Sequence, residues 1–582
     1  MSDLGFWNLA QSDPDAPALI DPNEVIYSRG QLLAEANQMV HGLRTLGVET
    51  GDTIALMMPN CKDFLVTYLA CASAGFYFVP INWHLAGPEV AYILEDSEAK
   101  AFFSHAAIGD APKLAVKEAN FPIEAAFAIG ELEGFSPLSD FLAAQPNTMP
   151  DNMTAGSTMN YTSGTTGRPK GVKRALAGID PNMMGELNAM FMMMFGIQAH
   201  ENNVHFTGSP LYHTAVLIWA TNSLHLGHSV VMMEKWDAEG MLYLIDKYKV
   251  TTSHMVPTQF VRSLKLPQSV RDKYDCSSTR HMIHAAAPCP IEIKRAMIEW
   301  WGPSIYEYYA ATEGGGTLVT PEEWMQYPGT VGRPWPSAEV KIFNDEGEEL
   351  KAGEVGTIYM LLSENMRFEY KGDKAKTQKE RLGEYFTVGD VGYLNEEGYL
   401  FLSDRKIDMI ISGGANIYPA EIESELILHE KVTDCTVFGI PNADWGEEIK
   451  AVVQPADGIV GDQDLTDEII EYLSSRIAKM KLPRSIDYLD ELPRDPNGKL
   501  YKDYMEILNI LLAEVGGKVL WQSEASATLI GNQKIHEALG IWYPSHQAFL
   551  DLMTAPSSEK NMKLRGLAVK KADLHKCSDY TA

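Results

Sequence analysis

Thr162-Ser163-Gly164-Thr165-Thr166-Gly167 is an unbroken run of small polar residues, with Arg168 and Lys170 just behind it. The run is too small and too polar to be core. Its hydroxyls and closely approaching backbone N–H groups suit an anion with several oxygens, and Lys170 adds a point charge suited to phosphate. A solvated turn accounts for the same residues, so other stretches must decide between the two. The run is not a Walker-type loop, because Gly164 is not followed by the Gly-Lys-Ser/Thr ending.

Four stretches downstream carry matching chemistry. YEYYAATEGG (306–315) offers aromatic rings for stacking, then Thr312 and Glu313, a hydroxyl and a carboxylate suited to phosphate and Mg²⁺. YFTVGDVGYL (385–394) sets Asp390 behind a strand pattern, where a carboxylate can accept from two ribose hydroxyls. SDRKIDMIISGGANIYPAEIE (403–423) joins a charged pivot to a glycine turn and a helix begun by Pro419. LPRDPNGKLYK (492–502) holds Lys499 on a Pro/Asn/Gly loop, from which a moving domain can deliver a cation.

Such residues need a scaffold to bring them together. Leu32, Leu33, Ala36, Met39, Val40 and Leu43 form a helical stripe, TIALMM reads as a strand, DFLVTYLACASAG as a helix closed by Gly75, and FYFVPI as a strand. This alternation predicts a mostly parallel sheet covered by helices. It recurs at 203–305, where SVVMM, TTSHMV and RHMIHAAA read as buried strands. The Met-rich AMFMMMFG (189–196) reads as a core helix, with the wall of an acyl tunnel as the alternative. From Gly329 the strands become shorter and glycine-punctuated, and helices are expected at Pro419 and near Thr466.

At 582 residues the chain has room for about three or four domains. A net charge of -30 argues against a nucleic-acid surface or a polybasic membrane patch, so a site for an anion must be locally positive. Six scattered cysteines without a CxxC pair read as thiols rather than disulfides or zinc ligands. The first residues show no basic-then-apolar leader, and no apolar run reaches the roughly 18 residues of a membrane span. A cytoplasmic protein is expected.

The five motifs, in this order, resemble the adenylate-forming superfamily of acyl-CoA synthetases, adenylation domains and luciferases. The resemblance covers about residues 1–502 and is strongest to the bacterial fatty-acyl-CoA ligase branch, through HAAAPCP, EYYAATE and DRKIDMIISGGANIYPAEIE. It implies an α/β fold in three parts: a large adenylation domain with mixed and parallel sheets (1–403), a small mobile α+β domain (404–502), and an α+β extension (503–582). The extension resembles ferredoxin-like domains of the DUF1330 type, whose members pair their sheets as dimers, so a homodimer is expected through it.

The resemblance also implies roles and co-substrates: ATP, Mg²⁺ and CoA. Thr162, Ser163, Gly164, Thr165, Thr166, Gly167 and Lys170 hold the phosphates. Tyr309 stacks on adenine, with Glu307 and the Ala285–Ala287 strand end, Ala286 at its centre, along the base's edge. Thr312 contacts the α-phosphate, Glu313 holds Mg²⁺, and Asp390 and Arg405 hold the ribose. Asp404 is the hinge, Gly413 and Gly414 line the pantetheine channel, His213 lies beside the reacting carboxylate, and Lys499 stabilises the adenylation transition state. Ala310 stands where the family usually has glycine, and Glu307 replaces a more usual amide. The implied function is an ATP-dependent acyl-CoA synthetase acting on a fatty or other lipophilic acid. Its rivals are an enzyme that loads a carrier protein instead of CoA, and a non-catalytic nucleotide-binding scaffold.

Overall fold

Ser28 opens the first long helix by a reciprocal cap: its hydroxyl accepts from the Gln31 backbone, and the Gln31 side chain accepts from the Ser28 N–H. The computed structural model describes residues 4–162, 170–287, 289–311, 314–336, 338–344, 346–361, 369–370, 381–387, 389–405, 410–412, 415–442, 446–492, 518–524 and 537–542. The helix, α1 (Arg29–Thr45), buries all six residues of the expected stripe. β1 (Thr53–Met57) is buried along its whole length. α2 (Lys62–Ala74) stops at Gly75, whose φ of 74° and close approach to Thr50 and Thr154 exclude a side chain. β2 (Tyr77–Pro80) and β3 (Ala99–His105) flank β1 in a six-stranded, wholly parallel sheet. The alternation expected from the sequence is therefore present.

The next segment builds the scaffold of the site. β4 (Asn160–Thr162) and β5 (Lys170–Lys173) pair antiparallel. α3 (Pro181–Met193) starts at Asp180, whose carboxylate accepts from the N–H groups of Asn182 and Met183. There follow β6 (Val204–Thr207), α4 (Thr214–His225), β7 (Ser229–Met232), β8 (Thr252–Met255), β9 (His281–His284), α5 (Ile291–Trp301), β10 (Ile305–Ala311) and β11 (Gly314–Val319). Side by side, β7, β6, β8, β9 and β10 are parallel, and β11 then turns back antiparallel. The Met-rich stretch splits between two environments: Ala189 and Met192 are core, whereas Met190 is 55% exposed. Its 3.6-residue period carries apolar side chains outward as well as inward.

β12 (Thr330–Pro334), β13 (Asp390–Leu394) and β14 (Leu400–Arg405) continue this fifteen-stranded sheet antiparallel, in the order β11-β12-β14-β13. Beyond them lies a smaller α/β unit of β15 (Ile410–Ser412), α6 (Pro419–Leu426), β16 (Val432–Asn442), β17 (Gly446–Pro455), α7 (Gln463–Ser474) and β18 (Ser485–Tyr488). It has its own core, including Ile422, Leu426, Val437, Ile449 and Ile469. The helix expected near Thr466 begins three residues earlier, because Asp462 caps it through the Leu465 N–H. Lys265 of the large body donates to the Val432 carbonyl of the smaller unit.

Two strands, β19 (Lys518–Glu524) and β20 (Glu537–Trp542), pair antiparallel in the C-terminal stretch. The rest of the ferredoxin-like extension expected at 503–582 lies outside the described residues. Among the described residues no helix is long and apolar enough to cross a membrane, and five free cysteines form no disulfide. Cys577 lies outside them.

Candidate active site

Parallel strands that end together leave a crevice at their carboxyl ends, where open α/β sheets bind ligands. Here β8 ends at Met255, β9 at His284 and β10 at Ala311. Just past β9, Ala286 has φ 75°, an uncommon conformation for a residue with a side chain. The strain sits at the strand end expected to border adenine. Ala310 carries no positive φ, so alanine in place of glycine forces no unusual backbone there. A β-bulge falls between Ala310 and Ala311 instead.

Tyr309, half-buried on β10, donates its hydroxyl to Asp390 Oδ2 on β13 at 2.6 Å. Asp390 is the cross-strand partner of Arg405 on β14. Residues spread over almost a hundred positions are thus gathered by the antiparallel extension of the sheet.

Glu307, 5% exposed, faces His284 across the β9–β10 register. Its Oε2 accepts from Lys294 Nζ at 2.6 Å, and Lys294 is wholly buried, 4.9 Å above the Trp324 ring centre. His284 Nε2 comes within 3.4 Å of the same oxygen, yet neither ring nitrogen makes a hydrogen bond. Burial pushes the Glu307 carboxyl up and the Lys294 ammonium down, and each partner opposes the other's shift. Burial and the Lys294 charge hold His284 neutral. Lys294 was not among the expected site residues, although the sequence carries its signal. It shares one helical face with Met297 and Trp301, both buried, and a lysine in an apolar stripe requires a partner.

His213 precedes the first residue of α4 and touches Tyr212, ring centres 4.2 Å apart. Its Nε2 is buried without a partner, and burial, with His84 nearby, lowers its pKa to about 3. Burial thus favours the neutral imidazole. Further in, His254 pairs through Nε2 with the Tyr308 hydroxyl at 3.0 Å, beside Trp219 and Phe191, while its Nδ1 has no partner. Phe191 belongs to AMFMMMFG, for which an acyl-tunnel wall was the alternative reading, and Tyr308 to YEYYAATEGG; Trp219 and His254 join them from α4 and β8.

Thr162 and Lys170 stand opposite each other across the β4–β5 pair. The residues between them that were expected to hold phosphate, Ser163, Gly164, Thr165, Thr166 and Gly167, lie outside the described residues. So do Thr312, Glu313, Gly413, Gly414 and Lys499. Asp404 and Arg405 are placed by their backbone in β14.

Comparison with known proteins places this fold in a family. Residues 6–367 match the family of AMP-binding enzymes, and residues 421–499 match the AMP-binding enzyme C-terminal domain. A long-chain-fatty-acid–CoA ligase from Mycobacterium tuberculosis is 31% identical over 515 residues, covering 86% of this chain and 97% of the relative. A fatty acid–[acyl-carrier-protein] ligase from Streptomyces coeruleorubidus is 30% identical over 503 residues, covering 85% and 93%. Among solved structures, the o-succinylbenzoate CoA synthetase of Bacillus subtilis, in complex with its acyl-adenylate intermediate, aligns with a TM-score of 0.70 at 26% identity, covering 85% of this chain and 96% of its own. An anthranilate CoA ligase in complex with anthranoyl-AMP aligns with a TM-score of 0.74 at 26% identity, covering 86% and 96%.

Proposed function

Because this chain belongs to the family of AMP-binding enzymes, we propose that it is an AMP-forming acid–thiol ligase that makes the CoA thioester of a lipophilic carboxylic acid. A carboxylate is a poor acyl donor because its oxygen leaves badly. Attack of that oxygen on the α-phosphorus of ATP expels pyrophosphate and gives a mixed anhydride of acid and AMP. The CoA thiol, losing its proton, then attacks the acyl carbon and AMP departs. The chain's own work is positioning and charge stabilisation.

The observation that carries this reading is the Tyr309–Asp390 bond. It sets an aromatic ring beside a carboxylate at the end of a parallel sheet, an arrangement suited to a base and its ribose. Glu307, Ala286 and Arg405 complete the proposed nucleoside contacts. Thr162 to Gly167 and Lys170 are proposed for the phosphates, Thr312 for the α-phosphate, and Lys499 for adenylation. Among the described residues no group of three or more His, Cys, Asp or Glu side chains could hold a metal. Mg²⁺ would enter with the nucleotide phosphates and neutralise their charge, with Glu313 proposed as its protein ligand.

His213, neutral and with a free ring nitrogen, is proposed to meet the acid's carboxylate. The wall of Phe191, Trp219, His254 and Tyr308 would take its apolar part. Domain boundaries at 403/404 and 502/503, with Asp404 as hinge, would let the Lys499 loop exchange with the Gly413–Gly414 face between half-reactions. Relatives named for CoA and for carrier-protein ligation both occur, so a carrier thiol is the second acceptor to test. The extension is proposed to be ferredoxin-like and to pair two copies. Light scattering of the chain with and without 503–582 tests this, and an unchanged oligomer number rejects it.

The decisive assay presents the full-length chain with ATP and a panel of fatty and aryl acids. Acid-dependent pyrophosphate exchange with CoA-dependent AMP formation supports the reading, and the absence of both rejects it. Lys499→Ala should lose adenylation, by about 10²–10³-fold, yet still form thioester from supplied acyl-AMP. Gly414→Leu should do the reverse.

A further inference from the structure

Burying a lysine is costly, and the position of Lys294 adds to the cost. It lies in the first turns of α5 (Ile291–Trp301), where the helix dipole disfavours a cation, and its side chain is 0% exposed. Partly offsetting this are the Trp324 ring beneath the ammonium and Glu307 Oε2 at 2.6 Å. The other carboxylate oxygen of Glu307, Oε1, makes no hydrogen bond among the described residues. Nor is it among the fully enclosed polar atoms that lack a partner. Oε1 therefore keeps some accessibility within a side chain that is only 7% exposed.

We propose that Lys294 is a positioning residue for nucleobase selection: by pinning Oε2 of Glu307 it presents Oε1 as a fixed anionic acceptor to the 6-amino group of adenine. The same oxygen repels a 6-oxo group. This rests on the nucleoside site proposed above, with Glu307 and the strand end after β9 along the base's edge. A carboxylate not held by Lys294 would turn, take up a proton, or reach for water. Held by it, the carboxylate can only accept. His284 cannot replace the lysine, because its neutral ring makes no hydrogen bond to the pair.

ATP and inosine triphosphate differ at the 6-position, amino against oxo, and make the matched probe. The full-length protein is assayed by acid-dependent pyrophosphate exchange and by direct nucleotide binding. The unaltered protein should prefer ATP by about a hundredfold. Glu307→Gln is isosteric, and Lys294 will still claim the side-chain oxygen, so the amide NH₂ turns toward the base. Preference should invert in favour of inosine triphosphate. In Lys294→Met/Glu307→Gln the amide is free to flip, and the two nucleotides should bind within a few-fold of each other. KM for the acid and for CoA should stay near the starting values throughout.

Retention of the full ATP preference in Glu307→Gln overturns the inference while leaving the ligase reading intact. So does a shift of all three KM values together, which marks a purely structural role. Failure of the unaltered protein to bind ATP removes both. Glu307→Gln alone carries the test if Lys294→Met does not fold.

Discussion

The Tyr309 hydroxyl and Asp390 Oδ2 are 2.6 Å apart, a bond that ties the last parallel strand of the large sheet to its antiparallel extension. The bond fixes the Asp390 carboxylate against the Tyr309 ring, the pair proposed above for ribose and base. Tyr309→Phe keeps the ring and loses only the clamp, worth about 1 kcal/mol. KM for ATP should rise about fivefold with KM for the acid unchanged. Asp390→Ala removes a charged acceptor, and kcat/KM for ATP should fall by about 10–100-fold. Equal effects on ATP and acid would argue against a nucleoside role.

His213 offers a separate test. A buried ring nitrogen without a partner is a liability to the folded state, and Nε2 is one. His213→Phe should therefore hold or raise the melting temperature while slowing acid-dependent pyrophosphate exchange by about tenfold or more. Loss of stability together with activity would make the histidine a core residue.

Acid sensitivity follows from six buried imidazoles. Burial lowers the pKa of His205, His213 and His254 to about 3 and of His225 and His228 to about 4, and puts His284 well below its ordinary value. Below about pH 6.5 the unfolded chain takes up protons on these rings while the folded chain does not. Stability is then lost as pH falls, by up to about 1.4 kcal/mol per pH unit for each ring, until the folded pKa values are reached. Urea midpoints should drop steeply between pH 6.5 and 4. A flat profile would falsify the neutral, buried assignment.

Lys265 and the Val432 carbonyl join the two main units, with Ile427 and Leu428 packed against the larger core. Lys265→Met preserves the packed stem but removes the donor, a loss of about 1 kcal/mol. Hydrogen exchange at 427–432 should quicken about fivefold, with the amides of 53–57 unaffected. No change there would mean that the contact does not hold the units together in solution.

Much of this was legible in the chain. The helix at 29–45, the strand at 53–57 and the glycine stop at 75 each rest on short-range physics: a 3.6-residue stripe, a wholly buried strand, a left-handed cap. The order of motifs likewise named the family, since each motif is local. What the sequence did not determine is which distant residues meet. The motif singled out Glu307 as a candidate for the adenine edge, but the lysine that binds its Oε2 lies thirteen positions earlier on a helix that looks simply amphipathic. The aromatic wall around His254 draws on four elements, and Tyr309 reaches Asp390 across 81 positions. Hydrophobic period and turn chemistry act over a few residues. Pairing a buried charge or closing a pocket depends on strand order and register, which exist only once the sheets have formed.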